Sequence, residues 1–235
     1  MACSFRTLAR LLGVAVSGLG LSLAALAQDM SQQELEDWFN DDTSARIAAV
    51  NTGELVFLAT PPAKPVHHHH NILTVDDRTL ASGWAELRQC HGNLDRVFAT
   101  QIVFRPERVR NLVILSREGI GQAWVEGATV QLRDIGPNAR ICLRLQSQVL
   151  MPNADGTYHV NSGPFMRRFL DGYYPMHVTM EVRLRTRHLR FLDITPASQQ
   201  GFQVRVTAHQ VRFDTWFEGR LQTLIRFTRV GTPPG

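Results

Sequence analysis

Apolar and polar residues alternate one for one through several segments of this chain, and that period constrains the fold more than any other feature. In "VTMEVRLRTR", Val178, Met180, Val182 and Leu184 alternate with Thr179, Glu181, Arg183 and Arg185. In "RICLRLQSQ", Ile141, Leu143 and Leu145 alternate with Arg140, Arg144 and Gln146, while "FQVRVTA" and "RLQTLIRF" repeat the pattern in part. A period of two puts one face of each segment in the core and the other in water, as in antiparallel sheets. Turn signals such as "DIGPNA", "PNADG" and "LDG" separate several of the runs. No long amphipathic helix is legible after residue 45. The expectation is an all-β chain built as an antiparallel β-sandwich.

A short echo bears on domain organisation. "WVEGATVQL" from Trp124 recurs as "WFEGRLQTL" from Trp216, each preceded by a strand-like segment. Self-similarity of this kind predicts two related sandwich halves, 47–150 and 151–235, with a boundary near "MPNADG". A single larger sandwich is the alternative, because all-β units of this length can be one domain.

The first residues predict export. Arg6 and Arg10 precede an apolar run, and Ala25–Ala27 offers the small residues of a cleavage site, so residues 1–27 read as a signal peptide. After it, Ser31 and Glu34 have capping-box spacing, and Leu35, Trp38 and Phe39 supply an apolar stripe, predicting an acidic helix over 28–46. No later apolar run is long enough to span a bilayer. The expected location is the periplasm or the exterior. Cleavage would leave 23 basic against 21 acidic residues. A nearly neutral exported chain does not carry the electrostatic footprint of a nucleic-acid binder.

Cys3 would leave with the signal, so Cys90 and Cys142 remain, and in an oxidising compartment two cysteines pair. The alternative is a thiolate ligand, with Cys90 beside His91. Alternation puts Cys142 on the polar face with Arg140 and Arg144, so a bridge would pin the outer side of a sheet. A covering loop carrying Cys90 and His91 would suit that geometry.

The candidate site is "KPVHHHHNILTV", residues 64–75. On a strand, His67 and His69 point one way and His68 and His70 the other. Same-face imidazoles then lie roughly 6.5–7 Å apart, close enough for two to share one ion but not for all four. Copper and zinc favour more ligands than two, and His91 is the first choice for another. Adventitious or structural histidine is the competing account. Met166, Met176 and Met180 with His177 are soft enough for copper(I), yet Met176 and Met180 share a face opposite to His177, which argues against a tight site and for a place in the core.

A second candidate is an interaction surface for an envelope protein or an anionic lipid. It would combine the aromatic turn Phe165, Phe169, Tyr173 and Tyr174 with an arginine stripe, Arg183, Arg185 and Arg187. Enzyme signatures are thin: there is no Gly-rich phosphate loop, no G-x-S-x-G elbow and no H-E-x-x-H. The expected function is therefore non-catalytic. Transition-metal binding (copper or zinc) through His67, His68, His69, His70 and His91 leads, and the interaction module is its rival.

Overall fold

The computed structural model describes residues 51–231, all within one compact unit, so the expected signal peptide and the helix over 28–46 lie outside the described residues. The chain is all-β, as its alternation predicts. In order it runs β1 (Val56–Phe57), β2 (His68–Val75), a six-residue helix α1 (Asp77–Ser82), β3 (Trp84–Gly92), β4 (Ala99–Val103), β5 (Val109–Glu126) and β6 (Thr129–Gln148). It continues through β7 (Leu150–Pro152), β8 (Tyr158–Phe165), β9 (Arg167–Phe169), β10 (Gly172–Tyr174) and β11 (Met176–Leu184). The last strands are β12 (Leu189–Thr195), β13 (Gln203–Thr207), β14 (Gln210–Glu218) and β15 (Leu221–Arg229).

Two main sheets carry the structure. The larger has nine strands in the order β1-β14-β11-β2-β3-β6-β4, with β13 added to β14 and β5 to β6; the smaller is β12-β15-β8-β7. β9 and β10 form a separate hairpin. Strands from before and after residue 150 thus share one sheet, because β2 and β3 pair onward to β11 and β14. The two expected halves are not separate sheets.

The main core lies between the inner faces of the two sheets. Leu73, Val75, Val178, Val182, Phe213 and Phe217 come from the larger sheet, and Val160, Ile194, Ile225 and Phe227 from the smaller. A second apolar cluster, including Val130, Leu132, Ile135, Ile141 and Leu143, fills the fold around β6. β14 and β15 show the expected alternation almost residue by residue. β11 does not: Thr179 and Glu181, read as water-facing, are buried. The reason is a charged network over that face, described below.

One pairing among the described strands is parallel, β2 with β11, at a register that sets His68 level with His177 and Asn71 level with Met180. Parallel neighbours cannot be joined by a tight hairpin. Here the intervening chain builds β3 to β10 before returning. β2 and β3 are antiparallel and linked through α1, whose N-terminus is closed by a reciprocal capping box between Asp76 and Thr79.

Cys90 and Cys142 form a disulfide, directly opposite each other on β3 and β6. The bridge is on the outer face, as alternation predicts for Cys142. Its partner segment is not the covering loop expected from sequence. Cys90 and His91 belong to β3, paired on both sides, and therefore point to opposite faces. The bridge spans 52 residues of sequence. The double variant C90A/C142A is expected to lose up to about 4 kcal/mol of stability in the chain-entropy model. Urea unfolding with and without reductant checks this, and equal midpoints would contradict it.

Candidate functional site

The histidine tract enters β2 from a proline-rich connector, and a bond from Asn93 Nδ2 to the Val66 carbonyl at 3.3 Å anchors its start. The strand period then divides the four imidazoles into two sites on opposite faces of the sheet.

On the outer face, imidazole rings stack across three strands. His70 and His68 lie 5.8 Å apart, His68 and His177 3.8 Å, and His177 and Trp216 4.2 Å, all close to parallel. Carboxylates beneath them define the proton positions. Thr179 Oγ1 donates its one proton to Asp214 Oδ2 at 2.8 Å, so His68 Nε2, at 2.9 Å from Thr179 Oγ1, must donate to that hydroxyl oxygen. His177 Nε2 donates to Asp214 Oδ1 at 2.7 Å. His70 Nε2 donates to Glu181 Oε1 at 3.3 Å, and Glu181 also receives Arg183, Gln210 and Arg212. Burial pushes the Glu181 carboxyl up, but its bond and charge partner Arg183, with His70 and Arg212, carries it below the ordinary value. Asp214 is held at about 2, mainly by the His177 hydrogen bond and against burial. These groups are saturated with protein partners, which is why Thr179 and Glu181 need no water.

The inner face is different. His69 pairs across the strands with His91, and Asn71 with Gln89. The Gln89 amide Nε2 donates to His91 Nε2 at 2.7 Å, which leaves the His91 proton on Nδ1, donated to His67 Nε2 at 3.0 Å. His69 lies 4.4 Å from the His91 ring and stands edge-on to Phe165 at 5.1 Å. Its Nε2 is buried and has no hydrogen-bond partner; Asn71 and Gln89 raise its basicity slightly but do not bond that atom. Burial, then the neighbouring His67, pulls the His69 pKa down to about 3. Burial likewise lowers His67, against the pull of Asp95, and drops His91 well below its ordinary value with His69 and His67 adding to it.

His67, His69, Asn71, Gln89 and Phe165 line a cavity of about 410 Å³ between the two sheets. Its walls also carry Met176 and Met180 from β11 and Met166 beyond β8, whereas His177 points the other way into the outer stack. Two of the three buried side-chain polar atoms left without a partner among the described residues, His69 Nε2 and Asn71 Oδ1, belong to this one cavity. A buried donor or acceptor left unpaired costs roughly 1–3 kcal/mol. No group of three or more His, Cys, Asp and Glu stands ready to hold a metal among the described residues, since His91 spends both ring nitrogens on Gln89 and His67. No family model matches this chain, and no curated protein is similar to it.

The rival surface is brought together only in part: its arginines share one cleft, and its aromatic turn lies elsewhere. Phe165 is buried in the main core, while Phe169 is exposed at the β9–β10 hairpin with Arg167 over its ring at 4.9 Å. Tyr173 bridges to Asn51, and Tyr174 donates its hydroxyl to Asp171. Arg183, paired with Glu181, and Arg185 and Arg187, just beyond the end of β11, together line one open cleft of about 830 Å³. The hairpin leads into the start of β11 and the cleft lies at its end, so most of that strand separates them, by roughly 20 Å of extended chain.

The methionine cavity was only half legible beforehand. The shared face of Met176 and Met180 follows from their spacing, but their approach to His69 depends on a parallel register that no local pattern encodes.

Proposed function

We propose that this is an exported, non-catalytic β-sandwich protein that binds a transition metal, copper or zinc, on the inner face of its histidine strand. The observation that carries the reading is His69 Nε2, a buried ring nitrogen without a hydrogen-bond partner, in a cavity that His67 also lines and with His91 against its ring. A buried ring nitrogen left unpaired is costly unless something binds it. His91 acts as a positioning residue, since its bond to His67 fixes the orientation of the ring next to His69. The outer histidines His68 and His70 take a structural role, because Thr179 and Glu181 already hold them.

The test separates the two faces. Untagged mature protein, stripped with chelator and titrated with copper and zinc, is expected to take up one equivalent tightly. H67A/H69A should abolish that uptake, and H68A/H70A should leave it within about threefold. Equal losses in both double variants, or only weak uptake without a defined stoichiometry, would overturn the reading.

A further inference from the structure

We propose that the cavity binds copper as copper(I), with His69 Nε2 and the thioethers of Met176 and Met180 as donors; this rests on the metal-binding reading above and specifies the ion. The register supplies the geometry. In the parallel β2–β11 pair, His69 is level with Val178, so Met176 and Met180 are its diagonal neighbours on either side and on the same face. Such diagonals are roughly 7–8 Å apart, within the combined reach of an imidazole and a thioether. All three side chains line the one cavity, and Met176 and Met180 are buried.

Charge selects the ion. Among the described residues that line the cavity, none is Asp, Glu or Cys; the polar ones are His67, His69, Asn71, Gln89, Ser147, Asn161 and Ser162, all without formal charge as neutral imidazoles, amides and hydroxyls. Asp95, the carboxylate that acts on His67, is neutralised by Arg167 at 2.6 Å. Burying an ion costs free energy that grows as the square of its charge, so a divalent ion with no anionic ligand is penalised about four times as heavily as a monovalent one. Thioether and imidazole donors are also the soft set that favours copper(I) over the harder divalent ions. A hydrophobic core needs methionine as a filler nowhere in particular. Here Met176 and Met180, members of the main core, also flank the level of His69 and line the same cavity.

The experiment compares M176L/M180L, a volume-conserving change, with the wild type. Both are titrated anaerobically with copper(I) against a chromophoric cuprous chelator, and separately with zinc(II). The wild type should bind one copper(I), and the variant about tenfold or more weakly, with thermal unfolding unchanged. X-ray absorption of the wild-type copper(I) complex should report sulfur in the first shell. Unchanged copper(I) affinity in the variant, or coordination by nitrogen and oxygen alone, would overturn the thioether assignment. If H67A/H69A still abolishes uptake in that case, the metal-binding reading stands without it. If the wild type takes up neither ion stoichiometrically, both fall together.

Discussion

Metal-free protein is expected to lose stability steeply as the pH falls from 6.5 towards 4, a range in which most carboxylates are still ionised. His68 is lowered to about 4 by burial and by the charges of His177 and His70, and His69 to about 3 by burial and His67. His67 and His91 are lowered as well, chiefly by burial. In the unfolded chain these imidazoles take up protons near pH 6.5; in the folded chain they stay neutral to much lower pH. The unfolded state therefore binds more protons throughout the window, so stability falls as pH falls. Each such histidine contributes up to about 1.4 kcal/mol per pH unit. His68 and His69 alone give a slope of roughly 3 kcal/mol per unit, against a total stability of about 5–15 kcal/mol for a domain. Asp214, depressed to about 2, adds a separate limb: its contribution is complete above the ordinary aspartate range and is lost only as pH falls towards 2. Urea unfolding at half-unit steps from pH 7.5 to 4 reads the slope. H68Q, which keeps an amide donor for Thr179, should flatten it by about one proton. A slope no steeper than a single histidine would supply would refute the expectation.

The second large effect separates two glycines that look equivalent in sequence. Gly127 and Gly219 each follow Trp-x-Glu, and both have positive φ, 58° and 83°. Gly127 closes the β5–β6 hairpin, and a Cβ there would meet nothing within 4 Å. Gly219 turns the chain from β14 in the larger sheet to β15 in the smaller, and a Cβ there would lie 1.8 Å from the Glu54 carbonyl oxygen. G127A should cost about 1–2 kcal/mol, the ordinary left-handed penalty. G219A adds a collision with backbone and is expected to cost about 4 kcal/mol or more. Chemical denaturation of the two single variants compares them directly, and equal losses would rule out the steric account.

The same glycines show where sequence reading reaches its limit. The W-x-E-G echo correctly marks two strand ends, but it marks a hairpin within a sheet once and a crossing between sheets once, so it does not report two related halves. Local period was a sound guide where burial depends on one strand and its own face: β14, β15, the outward Cys142 and the split of His67 and His69 from His68 and His70 all follow from it. It fails at Thr179 and Glu181, because His70, Arg212 and Asp214 arrive from neighbouring strands, with Arg183 of the same strand, to satisfy them. It fails again for Cys90 and His91, since a strand paired on both sides looks locally like any other short mixed run. The candidate site sits at that same limit. Which histidines share a face is a matter of one strand, and which methionines they meet is a matter of pairing.

The parallel pairing of β2 with β11 also sets an order of events. His68 and Thr179, in contact across that pair, are 111 residues apart in the chain, and closing so long a span delays the contact until most of the sheet exists. Synthesis runs from the N-terminus, so the tract emerges well ahead of Met176 and Met180. An emerging chain thus carries four bare imidazoles and no finished receptor. Loading of the kind proposed here belongs to the folded protein, after the last third of the chain has arrived to build the opposite wall.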